Sequence, residues 1–423
     1  MAGQRVERVQ MSLIKNLRAV IRIERVETDR VSRRLGRAAS VDDLRALARR
    51  RLPRGVFDYV DGGADDELTL AANRAAFERI GFRPRVLRNV GAVETSSALL
   101  GSPVAYPMVL APTGFTRIVH PDGELAVARA AARAGLPYTL STLSTVSIED
   151  VRAVSDGRLW FQVYAWRDRG LVKEMVSRAA SAEYDALVLT VDTPVLGRRE
   201  RDVRRGFALP PSIGPRTFVD GALHPSWTVS FLLSDPIRFA NVLGRDVGDA
   251  SSPVKISDYI HTQFDPALSW SDVEWLRSIW DRGLVIKGVQ RVEDAVLAAD
   301  AGVDAVALSN HGGRQLDGAP TALSLVSPVA DAVGDRTTVI CDGGIRRGSD
   351  IVKAVAAGAG AGMAGRAYLY ALAAGGERGV DRVLSWFRDD IIRTMTLLGA
   401  PSVADLDRAL LDPEFGGTRG SGT

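Results

Sequence analysis

An α/β barrel of the TIM (β/α)8 type is the fold the sequence predicts, and three observations predict it. Short apolar runs rich in β-formers alternate with Ala-rich helical stretches, in about the eight units that close a parallel barrel. Helical stretches such as 123–134 and 291–301 stop at Gly135 and Gly302, each followed by an apolar run, the mark of short αβ turns. Polar and charged residues gather where each run stops, a placement for which a packed barrel has no structural need.

The first 39 residues form a basic extension carrying Arg18, Arg22, Arg25, Arg30, Arg33, Arg34 and Arg37 against few acids. Leu13, Ile14, Leu17, Val20 and Ile21 fall at helical spacing there, so a short amphipathic helix is expected, packed on the body or a neighbouring subunit, or lying on a membrane surface. Ser40 is placed to cap a helix over Val41–Arg51, with Asp42 and Asp43 in its first turn.

The barrel body spans 40–410, before a flexible tail over 411–423. Its candidate strands are Met108–Ala111, Tyr138–Ser141, Leu159–Tyr164, Ala186–Val191, Leu284–Lys287, Ala305–Ser309, Thr338–Cys341 and Gly360–Ala364. Between the fourth and fifth lie about ninety residues, Thr193 to Gly283, where other units have a loop and one helix. Such an insertion starts at the end of a barrel where active sites sit, so a lid over about 197–270 is expected.

Composition excludes several classes. Apolar residues at 46% and charged residues at 25% are ordinary for a globular protein, and the net charge is only +3. Despite a pI near 9.1, the basic residues are dispersed among acids without aromatic interleaving, which argues against nucleic acid. One cysteine, Cys341, leaves no intramolecular disulfide or cysteine metal cluster, and fits a cytoplasmic setting. The four histidines, His120, His224, His261 and His311, lack metal-ligand spacing, so no metal is expected. Neither a bilayer-length apolar run nor a signal peptide is recognisable.

The rim clusters carry the chemistry. They are Pro112–Thr113–Gly114, Ser141, Gln162 with Tyr164, Thr190 with Asp192, Lys287, Ser309 to Arg314, Asp342 to Arg346, and Gly365–Arg366. The last two suit a phosphate, since loops after the seventh and eighth strands cradle phosphates in this fold through glycines and helix N-termini. The run Gly358–Gly362 mimics a dinucleotide fingerprint, but the helix precedes it and a strand follows, so its glycines are a helix stop and close-packed strand positions. His311 ends a strand between Ser309 and two glycines, with Asp192 available from the fourth strand. A carboxylate beside an imidazole fixes its tautomer and raises its proton affinity, as a general base requires. Arg199 and Arg314 are suited to clamp a carboxylate in bidentate fashion.

These residues carry a resemblance. The run Ser309–Asn310–His311–Gly312–Gly313–Arg314–Gln315–Leu316–Asp317 is similar to the active-site signature of the FMN-dependent 2-hydroxy acid dehydrogenases and oxidases. Phe57–Asp58–Tyr59, Ala111 to Gly114, Phe161 to Tyr164, Leu189 to Pro194, Gly197–Arg198–Arg199, Val285 to Gly288, Asp342 to Gly348 and Gly365–Arg366 extend it from about Ser40 to about Leu410. The Arg-rich start and Gly62 to Glu67 most resemble the respiratory L-lactate dehydrogenases.

The resemblance implies that His311 is the base, oriented by Asp192, that Tyr59, Arg199 and Arg314 bind the substrate carboxylate, and that Tyr164 meets the hydroxyl. For FMN it implies Pro112, Thr113, Gly114, Ser141, Gln162 and Thr190 against the ring and ribityl groups. Lys287 would set positive charge on the N1–C2=O edge, and Ser309, Asp342 and Gly343 would complete the set. Gly344, Arg346, Gly365 and Arg366 would take the phosphate. Phe115 and Leu143 would shape the space for the substrate side chain, and Cys341 would fill core. A homotetramer passing electrons to a quinone or other carrier, with peripheral contact at the inner membrane face through the insertion, is implied as well. Alternatives are an oxygen-using oxidase, a dehydrogenase of a larger acid such as mandelate, or a flavin-binding protein without turnover.

Overall fold

A computed structural model describes residues 27–205, 214–242, 262–413 and 415. The amphipathic helix expected over 13–21, His261 and the middle of the insertion lie outside the described residues, as does the tail beyond Phe415. Within the basic extension, Asp29 caps a short helix, Arg30–Gly36, by accepting from the Ser32 amide.

Eight parallel strands close into a barrel in sequence order: β1 Met108–Leu110, β2 Tyr138–Ser141, β3 Leu159–Tyr164, β4 Ala186–Thr190, β5 Gly283–Val289, β6 Ala305–Ser309, β7 Thr338–Asp342 and β8 Ala361–Ala364. Each matches a run expected from sequence to within two residues at either end, because strands buried on both faces read as near-continuous apolar runs. The helices agree equally well. Ser40 accepts from the Asp43 amide and starts Val41–Arg51, and the helices Gly123–Arg133 and Val292–Asp300 lead to left-handed Gly135 and Gly302.

Side chains alternate between the barrel interior and the surrounding helices. The inward row holds Val109 on β1, Trp160 on β3, Ala186 and Val188 on β4, Val285 on β5, Ala305 and Ala307 on β6, Ile340 on β7, and Ala361 and Met363 on β8. Small residues beside one indole fill the narrow interior. An antiparallel hairpin, Ser97–Leu99 with Ser102–Val104, plugs the lower end by adding Leu99 and Val104 to that cluster.

Two steps further along the same strands, with the same parity, the inward residue turns polar. Gln162 and Tyr164 follow Trp160, Thr190 follows Val188, Lys287 follows Val285, Ser309 follows Ala307 and Asp342 follows Ile340. Cys341 has the opposite parity to Ile340 and is fully buried, as a core filler should be. The decoy glycines are packing positions: a Cβ on Gly358, Gly360 or Gly362 would come within 2.7 Å of Ala330, Thr338 or Ile345 respectively.

Two departures matter. Leu411–Asp412 pairs antiparallel with Gly81–Phe82, so the expected tail begins as a paired edge. On β5 the register slips between Lys287 and Val289, and Gly288 sits there at φ +111° with the Asp192 backbone so close that a Cβ would lie 2.8 Å from its nitrogen.

Candidate active site

A cavity opens at the C-terminal ends of the strands and gathers the residues that sequence singled out. Tyr59, Arg199, His311 and Arg314 line one part, and Gly114, Gln162, Thr190 and Lys287 another. Of the remaining candidates, Asp192 and Ser309 stand directly behind the lining through hydrogen bonds to His311.

His311 is held in the left-handed region at φ +58°, with Gly312 and Gly313 following at +67° and +74°. A non-glycine residue there costs on the order of 1–3 kcal/mol, and here the turn aims the imidazole back into the cavity. Its amide donates to Ser309 Oγ at 3.0 Å, and Nδ1 lies 3.0 Å from Asp192 Oδ1. An ionised carboxylate only accepts, so Nδ1 carries the proton and Nε2 is the basic nitrogen.

Burial pulls the imidazole below its ordinary pKa, Asp192 pulls up, and Lys287 and Arg199 side with burial. Asp192 does raise proton affinity as sequence suggested, but the net direction is downward, so the ring is neutral at pH 7. Burial works against the Asp192 charge too, but His311 and Lys287 together keep its carboxyl below the usual range.

Arg314 donates to the carbonyls of Tyr59 and Gly62 at 2.6 and 3.0 Å, with its guanidinium 5.1 Å from the Tyr59 ring centre. Arg199 lies 6.0 Å from the same ring, and its Nε is buried without a partner. Burial, joined by Arg199 and Arg366, pushes Arg314 down to about 9. Neither arginine has an ion-pair partner among the described residues, so two half-buried cations face a space that favours an anion.

Ionic contacts fix this corner from behind. Asp61, on the helix Arg54–Asp61 that presents Tyr59, accepts from Arg45, from Arg201 at 3.0 Å and from the Tyr370 hydroxyl at 2.7 Å. Burial raises the Asp61 carboxyl, but these partners hold it down at about 2.

On the opposite side Lys287 pairs with Asp342 at 2.8 Å and donates to Ser309 Oγ at 3.0 Å, while Ser309 donates to Asp342 at 2.8 Å. Gln162 takes Ser141 Oγ and the Thr142 amide on its Oε1, which leaves Nε2 buried and unpartnered. Thr190 Oγ1 is likewise unpartnered. Two orphaned polar atoms beside a buried lysine mark a place for a polar, planar ligand. Two lining glycines are close-packed against the protein behind them: a Cβ on Gly344 would lie 2.2 Å from the Asn73 carbonyl, and one on Gly114 would lie 3.1 Å from Leu143.

The residues expected at the phosphate, Gly344, Arg346, Gly365 and Arg366, all line the cavity, and two details of their surroundings stand out. Asp350 already accepts from the Arg346 and Arg347 amides at 2.8 and 3.0 Å, closing the helix N-terminus after β7. The Arg366 guanidinium is spent on the carbonyls of Val60, Gly312 and Gly62, at 3.0, 2.8 and 2.7 Å. What faces the cavity is the start of the helix Arg366–Gly375, which has no side-chain cap, together with the Arg346 side chain.

Three supporting residues escaped the sequence reading. Fully buried Glu124 accepts from the Thr116 and Thr145 amides at 3.3 and 2.8 Å, tying the loops after β1 and β2 together. Asn73 exchanges two amide hydrogen bonds of 2.9 Å with Asn310 beneath the His311 turn. Gln315 donates to the carbonyls of Asp192 and Val195, both at 2.9 Å, and joins the loops after β4 and β6. Gln315 lay inside a motif quoted from sequence. Glu124 gave one signal, an acid in an otherwise Ala-rich helix.

Among the described residues of the insertion, helices run over Glu200–Arg205, Pro215–Leu223, Pro225–Leu232 and Trp270–Ser278. Its apolar residues divide into two groups. Trp227 donates its indole to the Ile118 carbonyl at 2.7 Å, and Phe239 is buried against Phe115. By contrast Phe218, Leu223, Leu232 and Leu233 are each at least 70% exposed. No helix among the described residues is long and apolar enough to cross a membrane.

Comparison with known proteins places this geometry among relatives. The family described as FMN-dependent dehydrogenase matches residues 48–413. A Mycobacterium tuberculosis protein provisionally assigned as an L-lactate dehydrogenase is 46% identical over 394 residues, covering 93% of this chain and 94% of that one. The L-lactate dehydrogenase of Caulobacter vibrioides is 44% identical over 374 residues, covering 88% and 97%. A crystal structure of the monotopic membrane protein (S)-mandelate dehydrogenase superposes with a TM-score of 0.86 at 40% identity, covering 89% of this chain and all of that one.

Proposed function

The chain belongs to the FMN-dependent dehydrogenase family, and from that premise we propose that it oxidises L-lactate to pyruvate and passes the electrons to a quinone or another carrier. FMN is its cofactor and oxidation of a 2-hydroxy acid its class of reaction. One observation carries the substrate reading: two half-buried arginines that make no ion pair among the described residues lie beside a histidine backed by a carboxylate.

The residues fit the cofactor. Gln162 Nε2 and Thr190 Oγ1 lack partners until a polar ring arrives, and Lys287 brings buried positive charge to its edge. Gly114 and Gly344 line the cavity with Pro112, Thr113, Ser141, Asp342 and Gly343, and Ser309 stands behind them through its bonds to Lys287 and Asp342. The phosphate goes to the Gly365–Arg366 helix start and to Arg346, while the Arg366 side chain braces the wall.

Oxidising a 2-hydroxy acid to a 2-oxo acid removes two electrons and two protons, and bound FMN supplies the two-electron acceptor. Arg199, Arg314 and Tyr59 hold the carboxylate, the arginines by charge-assisted hydrogen bonds. The Tyr164 phenol, kept protonated by burial, would meet the substrate hydroxyl. His311 Nε2 takes one proton from the substrate, and Asp192 stabilises the imidazolium that results.

Anaerobic mixing of the holoenzyme with L-lactate tests this by bleaching of the yellow flavin absorbance. Bleaching with mandelate but not lactate would move the substrate to the larger acid, a reading favoured by the aromatic residues Phe115, Phe239 and Phe264 in the cavity wall. Reoxidation by air-saturated buffer as fast as by a soluble quinone would make the enzyme an oxidase.

Peripheral membrane attachment at the inner face is part of the proposal. It is supported by exposed Phe218, Leu223, Leu232 and Leu233 and by the monotopic relative. Liposome flotation of wild type against a Leu232→Ser/Leu233→Ser variant decides, with equal soluble fractions counting against it. We propose a homotetramer, checked by light scattering.

A further inference from the structure

Both flanks of the long insertion send a phenyl ring into the cavity wall, and each ring is anchored by a buried amide next to it. Phe239 packs edge-on against Phe115, with ring centres 4.4 Å apart and planes at 86°. Two residues on, Asn241 accepts from the Ile148 amide at 3.0 Å and donates to Ser144 Oγ at 2.8 Å, fastening this flank to the loop after β2. On the other flank Phe264 packs edge-on against Tyr164 at 5.2 Å and 68°. Its neighbour Gln263 accepts from the Arg167 amide at 3.0 Å and, through Oε1, from the Asp168 amide at 3.1 Å, fastening this flank to the loop after β3.

Phe115, Leu143, Leu196, Phe239 and Phe264 all line the cavity, and none offers a hydrogen bond from its side chain. His311 and Arg314 follow a barrel strand, while three of the five apolar side chains, Leu196, Phe239 and Phe264, come from the insertion, as does Arg199. Phe115 itself stands at φ +56°, so its ring direction is set by its backbone and its contact with Phe239.

We propose that Phe239 and Phe264 determine which substrates are accepted, closing the wall around a hydrocarbon side chain, so that homologues of lactate with longer or aromatic substituents are accepted beside lactate itself. This inference rests on the 2-hydroxy acid reading of the site. The substrate class it names is L-2-hydroxy acids with linear or aromatic hydrocarbon substituents. Acids carrying a second carboxylate or a side-chain hydroxyl are disfavoured, because the wall gives those groups no partner. The insertion is thus part of the recognition surface, and the barrel rim alone does not set the preference.

The test is equilibrium titration of holoenzyme with oxalate, pyruvate, 2-oxohexanoate and phenylglyoxylate, followed by the flavin spectrum. Wild type should bind the two longer oxo acids more tightly than pyruvate. In Phe239→Ala and Phe264→Ala that preference should fall by roughly tenfold or more, the effect typical of lost contacts in a hydrophobic pocket, with oxalate binding changed by less than about twofold. Phe264→Leu should restore much of the preference. Flavin content, measured in parallel, identifies a variant that has lost its fold, and the leucine variants of both positions then replace it. Equal weakening of all four ligands would overturn the inference while leaving the 2-hydroxy acid reading intact. Wild type that binds none of the four would remove that reading, and this inference with it.

Discussion

The two ends of the barrel are built by the same strands with the same alternation, but they do opposite work. At the lower end the inward row is hydrocarbon, with Trp160, Ala186, Val285, Ala305 and Ala361 meeting Leu99 and Val104 of the plugging hairpin. At the upper end the same row becomes Gln162, Thr190, Lys287, Ser309 and Asp342, and several polar atoms there are satisfied only by one another or not at all. Burying unpaired polar groups costs stability, so the upper end is sustained by what the lower end contributes. Substitutions at the two ends should therefore separate cleanly into effects on turnover and effects on folding.

The largest separation is expected from His311→Gln. It should retain flavin and thermal stability but slow flavin reduction by about 10² to 10⁴, the usual cost of removing a general base. Near-normal reduction in a stopped-flow trace would take His311 out of the proton transfer. Leu99→Ala is the mirror image, expected to lose about 2–5 kcal/mol of stability in denaturant titration as a large-to-small core change. Its kcat and KM should stay close to wild type, and a selective loss of turnover would break the comparison.

Arg314→Lys comes next. A lysine cannot keep both carbonyl contacts and present a flat pair of donors, so affinity for hydroxy acids and oxo acids alike should fall roughly 10- to 100-fold, as for a lost charged hydrogen bond. Unchanged inhibition by pyruvate would remove Arg314 from the carboxylate site. The smallest effect concerns pH. His311 must be neutral to accept a proton, and its pKa is lowered, so kcat/KM should fall with decreasing pH through a midpoint below about 6.5. Asp192 raises that pKa, so Asp192→Asn should move the midpoint lower still. A midpoint above 6.5 in wild type would contradict the burial argument.

How much of this was legible in the sequence follows the same division. Strands such as β4 and β6 were readable because burial on both faces leaves uninterrupted apolar runs, and the rim was readable because polar residues end those runs. The hairpin at Ser97–Val104 and the edge pairing of Gly81–Phe82 with Leu411–Asp412 were not, since two- and three-residue strands carry no period. Individual site residues were legible by type but not by allegiance. Arg366 reads as a phosphate ligand, and its guanidinium also donates to three carbonyls on distant segments, contacts that no local pattern reveals. Glu124 and Asn73 escaped for the same reason, each acting on loops far along the chain. The upward pull of Asp192 on His311 was legible, but not the net direction, because sequence reveals the carboxylate neighbour and not the depth of burial.

Gly288 gives the bulge in β5 a consequence for how this enzyme can change over generations. A single methyl there would collide with the backbone nitrogen and side chain of Asp192, which orients His311 but makes no bond to Gly288. The carboxylate therefore owes its address to a hydrogen atom on a different strand. Variation at this position should be read as variation in proton transfer, even though the residue has no chemistry of its own.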